Sequence, residues 1–199
     1  PHVQNVVRPM DQPIYPQGGI AVLQGNLAPG GAIIKQSAAD PGLMEHEGRA
    51  VVFENLEDMA NRIDTPDLDV TPDDILVLKH IGPKGAAMPE AGYMPIPKKL
   101  AVAGVKDIVR ISDGRMSGTG FGTVVLHVSP ESAAGGPLNW VQNGDYISLD
   151  LDNRSLNWEV SEEELAARKI ANPFMPAKHI RGYVGLFIDH VDQAHEGAD

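Results

Sequence analysis

The sequence predicts a β-rich α/β domain whose strands form a mixed, barrel-like sheet flanked by a few helices. Three observations carry that prediction. Short runs dense in β-branched residues recur along the whole chain, Gly and Pro clusters separate them, and few stretches carry the caps and spacing of a helix. A chain of 199 residues supports one sizeable core rather than two.

Residues 1–17 hold Pro1, Pro9, Pro13 and Pro16 among polar groups and read as an extended linker, leaving residues 18–199 as the folded domain. Gly19 to Gln24 and Ala32 to Lys35 are apolar runs around the turn Leu27-Ala28-Pro29-Gly30-Gly31, so a hairpin is expected. Arg49 to Glu54 is the next strand. Asn55 then has the chemistry of an N-cap for a helix from Leu56 to Ile63, with Glu57 and Asp58 placed to suit the helix dipole. Ile75 to His80 makes another strand, and it runs into Gly82-Pro83-Lys84-Gly85-Ala86-Ala87-Met88-Pro89-Glu90. That segment is too rich in Gly and Pro to be expected as helix. Lys98 to Gly104 reads as a short helix stopped by its glycine.

Two more strands, Lys106 to Ile111 and Thr123 to Val128, flank Ser112-Asp113-Gly114-Arg115-Met116-Ser117-Gly118-Thr119-Gly120-Phe121-Gly122. The glycines let this segment bend while it holds Ser117 and Thr119. A nucleophile elbow requires glycine two residues before and after the serine, where this chain has Arg115 and Thr119. A dinucleotide-binding loop requires a helix after the glycines, whereas Thr123 to Val128 reads as strand. Tyr146 to Leu151 and Ser155 to Val160 surround Asp152-Asn153-Arg154 as a second hairpin. Ser161-Glu162-Glu163-Glu164 has capping-box spacing for a helix reaching about Lys169, which Pro173 and Pro176 end. Gly182 to His190 is apolar enough to dock on another surface, and Glu196 to Asp199 is expected to fray.

The formal charge of −11 would repel phosphate backbones, which argues against nucleic acid as a partner. With no cysteine, the chain forms no disulfide and offers no thiolate to an iron–sulfur cluster. No run approaches the ~20 apolar residues of a membrane span and no signal-peptide pattern is present, so a soluble cytoplasmic protein is expected. The first residues, Pro1-His2, sit in polar sequence and suggest a piece of something longer. None of the seven histidines forms an i, i+4 pair of the kind that binds zinc on a helix, and His127 is expected in a strand, buried and hydrogen-bonded. Ser117 has no base beside it in sequence.

Several blocks together resemble a known family. Gly18-Gly19-Ile20-Ala21-Val22-Leu23-Gln24-Gly25-Asn26-Leu27-Ala28-Pro29, Gly82-Pro83-Lys84-Gly85, Met88-Pro89-Glu90, Ser112 to Gly118, Pro130-Glu131 and Gly135-Gly136-Pro137 are similar, in the same order, to the C-terminal part of the dihydroxy-acid and sugar-acid dehydratases. The resemblance implies a hydro-lyase that takes water from a 2,3-dihydroxy carboxylate to leave a 2-keto-3-deoxy acid. It also implies a C-terminal barrel of the swivelling-domain type, with residues 1–17 leading from an N-terminal domain that carries the iron–sulfur cluster and most magnesium ligands.

Carried over by position, Ser117 matches the catalytic serine, acting as an alkoxide on the C2 proton. Glu90 matches the glutamate that reaches Mg²⁺ across the domain junction, and Thr119 a hydroxyl at the substrate. A serine becomes basic only where cations and dipoles stabilise its anion, which Mg²⁺ and an iron centre would do. The expected partners are a polyhydroxy acid, the N-terminal domain of the same protein and further copies in a homo-oligomer. The spelling Arg115-Met116-Ser117-Gly118-Thr119-Gly120-Phe121-Gly122 is similar to pentonate and hexonate dehydratases rather than to the amino-acid-biosynthetic members. Gly85-Ala86-Ala87-Met88-Pro89 departs from the family pattern by being one residue shorter and lacking its Pro-Gly. A branched-chain dihydroxy-acid dehydratase, and a non-catalytic docking module that closes a partner's site, are the alternative readings.

Overall fold

The computed structural model describes residues 6–88, 93–116, 121–176 and 181–199. In chain order these form β1 (Ala21–Leu23), β2 (Gly31–Ile34), β3 (Glu45–Phe53), α1 (Leu56–Arg62), β4 (Ile75–Leu78), α2 (Pro83–Ala86), α3 (Lys98–Val102), β5 (Arg110–Ser112), β6 (Val124–Ser129), β7 (Tyr146–Asp150), β8 (Ser155–Trp158), α4 (Glu162–Ala171) and α5 (Tyr183–His190). The eight strands pair as β1-β2-β6-β5-β4-β3-β7-β8. Both expected hairpins are present and antiparallel, while β3, β4, β5 and β6 pair in parallel. Gln24 bridges to Ser155 across the remaining gap, with Leu156 N–H donating to the Gln24 carbonyl at 2.9 Å, so the sheet is a nearly closed barrel.

Alternation along the strands divides the apolar residues between two cores. Ala50, Val52, Ile75, Val77, Ile111 and Val125 point into the barrel, where Leu23, Ile34, Leu149 and Trp158 meet them. Val51, Phe53, Leu76 and Leu78 face outward under α1 and α3, against Met59, Ile63 and Leu100. A strand buried on both faces reads as a continuous apolar run, and Ile75-Leu76-Val77-Leu78 is fully buried throughout.

The helix caps follow from the sequence. Asn55 accepts the Asp58 N–H at the start of α1, and Ser161 accepts the Glu164 N–H at the start of α4.

Four expectations need correction. Gly82 to Ala87 contains one helical turn, α2: Pro83 occupies the first helical position, where a missing N–H costs nothing, and a buried carboxylate takes the next two amides. Strand β3 begins at the polar residue Glu45, four residues early, because Glu45 to Gly48 pair with β7. Strand β5 begins only at Arg110, since Asp107 folds back on the amide of Ile108 instead of continuing the ladder. The C-terminal end does not fray: Asp192 N–H donates to the Asp199 carbonyl and Ala198 N–H to the Gln193 carbonyl. The apolar tail is helix α5, with Gly185 and Ile188 buried and Tyr183 and Leu186 exposed.

Residues 6–17 contain no helix or strand and are exposed. Among the described residues, no helix is long and apolar enough to cross a membrane.

Candidate functional site

Strands β4 and β5 lie side by side and run the same way, so the segments that follow them leave from one edge of the sheet, the edge where open parallel sheets bind ligands. The first segment carries Glu90 and the second carries Ser117 and Thr119. These three residues lie outside the described residues. Their flanks are described, and buried charged groups hold both ends of both segments.

At the near end, Asp113 is fully buried just past β5. Its carboxylate accepts N–H groups from Ile81 at 3.0 Å, His80 at 3.2 Å and Ser132 at 2.8 Å, tying the root of the serine segment to the root of the Glu90 segment. Gly114 makes the approach possible. A Cβ there would lie 2.4 Å from the Ile81 carbonyl oxygen. His80 turns the chain out of β4 with φ of 56°.

Glu131 supports the same segment from the other side. Its carboxylate accepts the N–H groups of Lys84 and Gly85, at 3.0 and 2.9 Å, and the side-chain amide of Gln193 at 2.7 Å. Gln193 in turn accepts the Glu131 N–H at 2.8 Å, which fastens the C-terminal segment to this site. Burial pushes the Glu131 carboxyl above the usual carboxylate range, and the Lys84 and Gly85 amides partly offset that rise. Gly82 is required here as well, since a Cβ would lie 2.4 Å from a Glu131 carboxylate oxygen.

At the far end, Arg110 and Asp107 form an ion pair at 3.1 Å with both side chains almost wholly buried. Arg110 also donates to the Met94 carbonyl at 3.2 Å, just beyond the Glu90 segment. Asp107 accepts from the N–H and hydroxyl of Thr123 at 2.7 and 2.8 Å, just beyond the serine segment.

Two cavities border these segments. One of about 570 Å³ lies beside the ends of β3 and β4, with Glu54, Lys79 and His80 in its wall. The other, of about 340 Å³, is walled by Lys35, Arg115, Met116 and His127, next to the serine segment. His127 is half-buried in β6 as expected, but with φ of 55°, and its Nδ1 is buried without a hydrogen-bond partner. Burial lowers the imidazole pKa, and the charge of Arg115 lowers it further.

Sequence reasoning assigned no role to Asp107, Arg110, Asp113 or Glu131. A signal was available for the first two, because charges inside an apolar run such as Lys106 to Ile111 must find partners when buried. No sequence spacing relates Asp113 to His80 and Ser132, because the fold alone brings them together.

Residues 5–198 match the family described as dihydroxy-acid/6-phosphogluconate dehydratase, C-terminal. This chain belongs to that family. It is 50% identical over 203 residues to the L-arabonate dehydratase of Azospirillum brasilense, covering 98% of this chain and 35% of the relative. It is 49% identical over 200 residues to the L-arabinonate dehydratase of Rhizobium leguminosarum bv. trifolii, covering 98% and 34%. Against the dihydroxy-acid dehydratase of Halothermothrix orenii the identity is 40% over 196 residues, covering 97% and 34%. The chain thus spans about a third of the length of these curated relatives. The match is to the C-terminal domain of that family.

The chain has no cysteine, and among the described residues no group of three His, Asp or Glu side chains could hold a metal ion. These residues alone therefore fit neither an iron–sulfur cluster nor a magnesium ion.

Proposed function

We propose that this chain supplies one wall of the active site of a sugar-acid dehydratase, which converts an aldonate to a 2-keto-3-deoxy acid. What supports the reading is the pair of segments fastened to each other through Asp113, together with the higher identity to relatives named for arabonate than to one named dihydroxy-acid dehydratase.

Ser117 Oγ, as its alkoxide, takes the proton from C2 of the substrate, and the electron pair of that C–H bond forms the C2=C3 double bond as the C3–O bond breaks. The leaving hydroxide takes the proton back from Ser117 and departs as water, and the enol that remains becomes the 2-keto acid. Thr119 donates a hydrogen bond to the substrate. Glu90 is the oxygen ligand this chain would offer to magnesium, a hard cation, and the iron–sulfur cluster would take its thiolates from the rest of the protein. No step is assigned to either group from these residues. The contribution of the described residues is positional: Asp113, Glu131 and the Asp107–Arg110 pair hold the backbone on either side of the reacting side chains, which limits the geometries they sample. Residues 1–17 lead into this domain from the remainder of the protein.

The test is the complete protein carrying Ser117→Ala, assayed on aldonates. Loss of the base lowers kcat by about 10²–10⁴-fold. Unchanged turnover removes Ser117 from the mechanism. In competition, a preference for 2,3-dihydroxyisovalerate over every aldonate would assign the protein to branched-chain dihydroxy acids instead.

A further inference from the structure

The cavity of about 570 Å³ beside β3 and β4 falls within the ~300–1,000 Å³ of ordinary small-molecule sites, and the mechanism above makes no use of it. Its position is informative. His80 in its wall is hydrogen-bonded through its N–H to Asp113, four residues before Ser117, and Gly85 in its wall lies five residues before Glu90. The cavity therefore opens beside the roots of both reactive segments.

Its chemistry is polar without net charge. The Lys79 side chain is 4% exposed, and its ammonium donates to both Glu54 oxygens, at 3.0 and 3.3 Å, and to the Asn139 carbonyl at 3.3 Å. That cation is matched, so it leaves no unbalanced charge to draw in an anion. The Glu54 side chain is 59% exposed, so its carboxylate stays open to further donors. Asn139, Gln142 and Asn172 add three side-chain amides to the same wall, and none of the three is hydrogen-bonded to a described residue. Phe174 and Met175 add apolar surface to the same wall. Amides that both donate and accept, one carboxylate and an aromatic face suit C–OH groups and the C–H faces between them.

We propose that this cavity is the subsite for the hydroxylated tail of the substrate, the carbons beyond the reacting pair. The proposal rests on the sugar-acid reading and deepens it, by making tail length a property this chain selects.

The experiment uses the complete protein with Gln142→Leu and Asn172→Leu together. Both residues are exposed, so folding is not at stake. Steady-state kinetics compare glycerate, which has no tail, with a pentonate and a hexonate. The expected result is a fall of about tenfold in kcat/KM for the two longer acids, carried mainly by KM, and no change for glycerate. An equal loss on glycerate, as would follow if the cavity seated a neighbouring domain, overturns the proposal, and so does no loss on any acid. If the unmutated protein dehydrates no sugar acid, the sugar-acid reading itself fails. The cavity is then judged by calorimetric titration with arabinitol: binding by the unmutated protein that the double variant lacks supports a polyol site, and equal or absent binding overturns it.

Discussion

Strands β7 and β8 are joined by a turn in which Asp150 accepts the backbone and side-chain N–H groups of Asn153, at 2.9 and 2.6 Å, both exposed. Strands β4, β5 and β6 are joined by long segments that leave the sheet and return, and their polar anchors are buried. The antiparallel flank is held by neighbours in sequence and by alternating apolar faces, so its turn needs no buried charge. A parallel connection cannot close so cheaply. Each end of its long segment must be tied down, and here the ties are charged side chains taken out of water and paired with backbone groups or a counter-ion. The segments that carry the proposed site residues leave from the parallel half, where two of them share one edge.

If that contrast is right, the largest losses come from the buried ion pair. Asp107→Asn leaves Arg110 charged and unmatched in the core and weakens the hold on Thr123, so stability should fall by about 3–5 kcal/mol. Urea unfolding, followed through Trp140 and Trp158, would show it. A loss below about 1 kcal/mol would mean the far-end anchor matters no more than a surface pair.

Next in size is Asp113→Ala, which strips the partner from the N–H groups of His80, Ile81 and Ser132. Unmatched buried donors cost about 1–3 kcal/mol each and are not additive, so a total near 3 kcal/mol is expected. Hydrogen exchange should quicken across residues 80–88 while the β7–β8 hairpin keeps its protection. Equal quickening in both would break the distinction between the two halves. Glu131→Gln is milder, about 1 kcal/mol, because an amide oxygen still accepts one of the two α2 amides. Faster exchange confined to Lys84 and Gly85 is the measurement that checks it.

The same contrast explains what was legible in the sequence. The hairpins β1–β2 and β7–β8 could be read because their signals are local: an apolar run, a turn spelled with Gly or Asx residues, a second run. Caps at Asn55 and Ser161 are local as well. The helical turn α2 was not, since its start is completed by Glu131, 47 residues from Lys84. Nor was the start of β3, where Glu45 to Gly48 are strand only because β7 offers them a ladder. Of the candidate site, resemblance to a family suggested Ser117, Thr119 and Glu90, and the sequence did not show what holds the segments that carry them. Asp113 and Glu131 stood in the resembling blocks without a role, because the donors they satisfy lie 19 to 62 residues away.

The smallest effect lies where the two halves meet, at His127 on β6, between antiparallel β2 and parallel β5. Its imidazole is held below the ordinary 6.5 first by burial and then by Arg115, so the fold keeps it neutral while the unfolded chain takes up a proton near that pH. The unfolded state therefore binds more protons in this window. The stability tied to His127 is complete above 6.5 and is lost as pH falls through 6.5 towards the lowered value. His127→Gln should flatten that part of the stability curve and leave the rest unchanged, as read from urea midpoints between pH 7.5 and pH 5. The other groups facing the ring from the adjoining elements are Arg115, Lys35 and His195. A fall in stability of the same size in the variant would leave His127 as packing alone.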